Sequence, residues 1–175
     1  MSIAISMYAS KIDMNDYKRI VVVLVSLLLL TTALAGDYED GWLSYRKNDY
    51  EKAMSKFKAS ASSGKAEAYS AIAFMYENGF GVLQDYKEAA KWHRIAASKG
   101  DTQSQSALAL MYENGAGVER SVVLAHMWYN IAASKGDGYF VNNRITLESK
   151  MTIEQINAAQ KKARECMASN FTKCD

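Results

Sequence analysis

At 175 residues, 49% of them hydrophobic, the chain is long and apolar enough for one domain with a real core. A net charge of +2, from 21 basic and 19 acidic side chains, gives no electrostatic case for nucleic acid, which calls for a clustered basic face.

The first predicted element is an address. Lys18 and Arg19 precede an unbroken apolar run, Ile20–Val25, followed by Ser26 and Leu27–Leu30. Ala33 and Ala35 then supply the A-x-A arrangement that signal peptidase accepts, so residues 1–35 read as a signal peptide with Gly36 as the mature N-terminus. The competing reading is an uncleaved anchor. The apolar stretch from Ile20 to Ala35 is short against the roughly 20 residues that a membrane span needs. In either case the basic flank stays cytoplasmic and everything after Gly36 is exported, to the periplasm or beyond. No cysteine follows the apolar run, which argues against a lipoprotein. Met14 offers a second start, with "MNDYKR" as an ordinary short leader, so residues 1–13 read as a mis-assigned start or a dispensable extension.

From residue 37 onwards the chain repeats itself. "MYENGFGV" (Met75–Val82) and "MYENGAGV" (Met111–Val118) differ in one letter at an offset of 36, and "AASKGD" at 96–101 returns at 132–137. Gly64, Gly100 and Gly136 share a column of this register, as do Ala53, Ala89 and Ala125; Phe57, His93 and Tyr129; and, in two copies, Trp92 and Trp128. Within a copy the apolar positions have helical spacing: Ala68, Ile72, Ala73 and Tyr76 in one helix, and Tyr86, Ala89, His93, Ala96 and Ala97 in the next. Asp85 reads as an N-cap, and Gly100 as a C-terminal glycine with positive φ. Gly79 and Gly81, with Gly115 and Gly117, supply the backbone freedom of the turn inside each pair. The expectation is an all-α, right-handed solenoid of about four antiparallel helix pairs, in units 37–64, 65–100, 101–136 and 137–168, with a tail at 169–175. A single pair cannot cover its own apolar stripe, so the units stack.

These residues carry a resemblance. The pattern A-x-x-x-x-MYENGxGV-x-x-DY-x-x-A-x-x-W-x-x-x-AA-x-x-GD is similar to the Sel-one-like repeat, a relative of the tetratricopeptide repeat. "AHMWYNIAASKGD" followed by "MTIEQINAAQKKARE" resembles the terminal unit of exported bacterial members. The chain departs from the family where a glycine is usual, at Ala73 and Ala109, and where a proline is usual, at Leu83 and Glu119. The first copy is contracted, and in the fourth Arg144 and Glu148 stand in the columns of Leu108 and Tyr112. Degenerate ends are expected of capping units. The resemblance implies a scaffold that binds another protein or a peptide. Members include periplasmic immunity proteins that neutralise lipase toxins, and cysteine-rich relatives with penicillin-binding character suggest the alternative of an envelope enzyme or modulator acting on peptidoglycan peptides. Those relatives carry a disulfide in each repeat, which this chain lacks.

Candidate chemistry is sparse. His93, in a column with Phe57 and Tyr129, reads as a packed ring. His126 has no sequence-near Cys, His or acidic partner at metal spacing, so neither metal nor cofactor is expected. Ser-x-x-Lys occurs at Ser44, Ser55 and Ser62, without the companion Ser-Asp-Asn and Lys-Thr-Gly elements that an acylating enzyme needs. Cys166 and Cys174, the only cysteines, favour a disulfide in an oxidising compartment, with Asn170 placed to turn the chain back. The candidate partner surface is the outward face of successive first helices, at Tyr69 and Phe74 in one unit and Gln105 and Leu110 in the next. Phe74 and Leu110 share a column; they form either an apolar contact surface or packing between neighbouring first helices.

Overall fold

The computed structural model describes residues 13–174, with the side chains of Met14 and of residues 27–35 outside the described set. Residues 1–12, which hold most of the suspected dispensable extension, lie outside it too.

Eight helices and no strand make up the described residues. They are α1 (Met14–Arg46), α2 (Tyr50–Ser62), α3 (Ala66–Asn78), α4 (Tyr86–Ser98), α5 (Thr102–Asn114), α6 (Val122–Ala133), α7 (Gly138–Glu148) and α8 (Ile153–Ala168). Local chemistry sets the starts. Asp85 accepts the N–H groups of Lys87 and Glu88 and begins α4; Asp101, Ser121 and Asp137 do the same work for α5, α6 and α7. At α8, Thr152 and Gln155 form a reciprocal capping box.

The stops are glycines in the left-handed region. Gly79 (φ 69°) ends α3 and Gly115 (φ 73°) ends α5. Two residues on, Gly81 and Gly117 have a different duty. A Cβ on Gly81 would stand 2.8 Å from Tyr50 Cβ, and one on Gly117 only 2.1 Å from the Tyr86 carbonyl oxygen. Each of these turns therefore lies directly on the first residue of the preceding unit's second helix. The second glycine of Gly-x-Gly is the point where one unit docks on another.

Three pairs pack as expected: α1 with α2, α3 with α4, α5 with α6, and then pair on pair through α2/α3 and α4/α5. The fourth pair, expected at 137–168, takes a different form. Helices α7 and α8 both pack chiefly on α6. The cause is α6 itself, "VVLAHMWYNIAA", in which Ala125 to Tyr129 are consecutively buried. A helix apolar on every side must be covered on every side.

Two large clusters form the core. One gathers Phe57, Ile72 and Met75 under a shell of aromatic rings from α1 to α4; the other joins Leu108, Met127, Trp128 and Tyr129 to Leu147, Ala163 and Cys166. In the second, burial, followed by the nearby charge of Glu113, pushes the Tyr129 phenol up to about 12. The unfolded chain would ionise near 10, so the folded state loses relative stability as pH rises from about 10 to about 12. Absorbance titration at 295 nm should show Tyr129→Phe removing a phenol that ionises near 12.

Cys166 and Cys174 are bonded, with Cα atoms 4.6 Å apart, across a turn in which Asn170 (φ 52°) and Phe171 (φ 62°) are left-handed. Both sulfurs sit in the core cluster, with Cys166 fully buried. The disulfide expected from the sequence thus also seals the end of the core. Reduction should lower stability by about 2–3 kcal/mol in urea titration. Serine at position 166 should cost more than serine at 174, because its hydroxyl would be buried.

The N-terminal part of α1 stands apart from this core. Ile20 to Val25 are exposed, from 37% at Val21 to 66% at Val22. Among the described residues no helix is long and apolar enough to cross a membrane.

Candidate interaction site

Burial on α5 leaves one outward row: Gln103, Ala107, Leu110 and Asn114, spaced i, i+4, i+7, i+11. The same columns on α3 are Glu67, Ala71, Phe74 and Asn78. Beside these rows lie two grooves. The first, about 260 Å³, is walled by Tyr38 and Trp42 of α1 and Phe74 of α3, with Glu67 and Asp101 among its polar lining. The second, about 400 Å³, lies between Glu77 and Asn78 at the end of α3, Tyr86 of α4, and Ala107, Leu110 and Asn114 of α5. The small side chains of Ala71 and Ala107 leave room along the rows for these hollows.

The four residues proposed from the sequence meet different fates. Leu110 is 52% exposed on the wall of the second groove. Phe74 lines the first groove but is half-buried, with ring centroids 6.1 Å from Trp42, 5.7 Å from Tyr45 and 5.7 Å from Phe80. For Phe74, packing against the neighbouring first helix and lining a groove are both true. Tyr69 stacks on Trp92 at 6.0 Å, with Lys99 Nζ 5.5 Å from its ring, and so belongs to the α3/α4 seam. Gln105 is not on the outward face. It is 2% exposed, and its Nε2 donates to the Ala97 carbonyl at 3.1 Å. A one-stripe helical wheel fails for α5 because α4 and α6 cover it from two sides, widening the buried arc. Trp42 and Tyr38 were missed altogether, since the contracted first unit hides their columns; "GWLSY" was the available signal.

The histidines are buried between helices. His93 is packed as expected, its Nδ1 3.0 Å from Ser104 Oγ and its Nε2 3.3 Å from Glu77 Oε1. His126 gains the acidic partner that its sequence neighbourhood lacks: Glu148 Oε1 lies 2.7 Å from Nε2, with Arg144 behind it at 3.8 Å. Arg144 and Glu148, anomalous in the repeat columns, thus serve the cap on α6. Among the described residues no group of three or more His, Cys, Asp or Glu is placed to hold a metal.

Comparison with known proteins fits this geometry. The Sel1 repeat model matches residues 66–101 and 102–137. No curated protein matches the chain. Among solved structures it is similar to a protective antigen of uropathogenic Escherichia coli displaying an SLR fold, at 27% identity and a TM-score of 0.73 over 81% of this chain and 31% of that one. It is also similar to a Sel1 repeat protein from Oxalobacter formigenes, at 28% identity and a TM-score of 0.60 over 63% of this chain and 45% of that one. The chain therefore spans less than half the length of either. Sel1 repeats are in general protein–protein interaction modules, typically non-enzymatic scaffolds. The chain carries two Sel1 repeats at the centre of an all-α solenoid of repeats.

Proposed function

We propose that this protein is an exported, non-enzymatic module that holds another protein or a peptide along its first helices, in the manner of an immunity or adaptor protein of the periplasm. One observation carries the reading: equivalent columns of α3 and α5, Ala71 with Ala107 and Phe74 with Leu110, line neighbouring grooves in the 36-residue register, so stacking turns equivalent positions into one strip. Phe74 and Leu110 are its apolar members. Export is supported by the basic-then-apolar leader and by the exposure of Ile20 to Val25, apolar side chains that the repeat core leaves uncovered.

Leu110→Ser is the cleanest probe, since half of that side chain is already in water. The expected result is an unchanged circular dichroism spectrum, a melting temperature within a few degrees of the parent, and partner capture from an envelope extract weakened by roughly tenfold or more. Equal capture by the variant would mean that the first-helix strip is the wrong surface. Phe74→Ser cannot serve this purpose, because the aromatic packing around Phe74 would be lost with it. N-terminal sequencing of the exported protein should give Gly36; a chain retaining Ile20–Leu30 in the membrane pellet would establish an anchor instead.

A further inference from the structure

We propose that the occupant of the first-helix grooves is an extended segment of a partner protein bearing Lys or Arg beside aromatic or aliphatic side chains. This rests on the binding role above and adds the chemistry of the partner.

From α2 to α5, charge is divided by helix type. The first helices α3, "AEAYSAIAFMYEN", and α5, "TQSQSALALMYEN", contain Glu67, Glu77 and Glu113 and neither lysine nor arginine. The second helices α2, "YEKAMSKFKASAS", and α4, "YKEAAKWHRIAAS", hold five lysines and Arg94 against Glu51 and Glu88. Across the units where the grooves lie, α3 and α5 therefore present carboxylates as their only charged side chains, while lysines and Arg94 gather on α2 and α4. Several first-helix carboxylates are already matched: Asp37 and Asp40 by Lys56 at 2.6 and 3.4 Å, Glu39 by Lys65 at 3.1 Å. Glu67 is exposed and forms no ion pair among the described residues, and Asp101 spends one oxygen on the Ser104 N–H. Both line the aromatic groove, and no lysine or arginine lines either groove.

An anionic segment would bring like charge against Glu67 and Asp101 in the aromatic groove and Glu77 in the second, whereas a cationic one meets complementary potential. The molecule already shows the recognition it would use. Lys65 Nζ sits 4.0 Å from the Tyr38 ring centroid while bonding Glu39, an ammonium held between an aromatic face and a carboxylate. Trp42 with Glu67 and Asp101 offers the same pair of partners to an incoming Lys or Arg. The second groove, with Ala107, Leu110 and Met111, offers an apolar seat. Two such hollows along successive first helices fit one extended chain better than a lone small cation, which would occupy one and leave the other empty.

The test is selection of a random peptide library displayed on phage against the purified chain, with the Leu110→Ser and Glu67→Lys variants in parallel. Peptides enriched on the parent are expected to be net positive and to contain Trp, Phe or Leu. A synthesised winner, followed by fluorescence polarisation, should bind roughly tenfold more weakly to Glu67→Lys, and more weakly to the parent as salt rises. Circular dichroism should show both variants folded. Enrichment of acidic or uncharged peptides that still need Leu110 would overturn the charge inference and leave the docking surface standing. Failure to enrich any peptide that depends on Leu110 would overturn both.

Discussion

Alanine at Gly117 is expected to destabilise the protein by about 3–5 kcal/mol, more than alanine at any other turn glycine. Two costs add there. With φ at 71° an L-residue is strained, by about 1–2 kcal/mol. The new methyl would also lie 2.1 Å from the Tyr86 carbonyl oxygen and 2.2 Å from its carbon, and backbone cannot swing aside as a side chain can. The loop must lift off α4, and unit docking is lost with it. Gly115 has the same φ class, but its Cβ would meet Arg120 Cβ at 3.3 Å, far looser than the 2.1 Å approach at Gly117. At Gly100 (φ 87°) nothing stands within 4 Å, so alanine there pays for conformation alone. The expected order of loss in urea titration is Gly117, then Gly81, then Gly115 and Gly100 together. If Gly117→Ala unfolds no earlier than Gly100→Ala, the close approach to Tyr86 is not what seats one unit on the next.

That order shows where sequence reading stops. The doubled octapeptide makes the turns legible, since a glycine that must adopt positive φ recurs wherever the turn recurs. It gives both glycines of Gly-x-Gly one role, because the partner at Tyr86 or Tyr50 sits about thirty residues upstream and nothing local announces it. The helix pairs, the Asp85 cap and the packed His93 were legible for a similar reason: each depends on spacing within one helix or on the next turn. Gln105, Glu148 and the fate of the last two helices depend on which elements become neighbours. A wheel drawn for α5 alone has one apolar stripe and misplaces Gln105, while the folded helix has two covered flanks. Glu148 looks like an error in the register until His126 is seen against it. At the candidate site the column shared by Phe74 and Leu110 was visible, whereas Trp42 required knowing that the contracted first unit still lays α1 beside α3.

Trp128→Ala is the other change of large expected effect, and its matched column supplies the control. Trp92 and Trp128 are equivalent in the 36-residue register, yet Trp92 is half-buried against Tyr69, and Trp128 is 1% exposed within the larger core cluster. The difference comes from α6, which carries α5 on one flank and both capping helices on others. Removing the Trp128 ring should cost about 3–5 kcal/mol, and the melting temperature should fall by on the order of 10 °C. Trp92→Ala should cost much less, about 1 kcal/mol, since water can fill part of the space it leaves. The loss should also be local. In a stack where each unit touches only its neighbours, amide protection should drop through α6, α7 and α8 while α2 and α3, built on the separate cluster around Phe57 and Ile72, keep theirs. Hydrogen exchange followed by mass spectrometry reads this directly. Uniform loss of protection from α2 to α8 would mean that the two clusters melt as one cooperative unit, and that α6 organises the whole molecule beyond its C-terminal half.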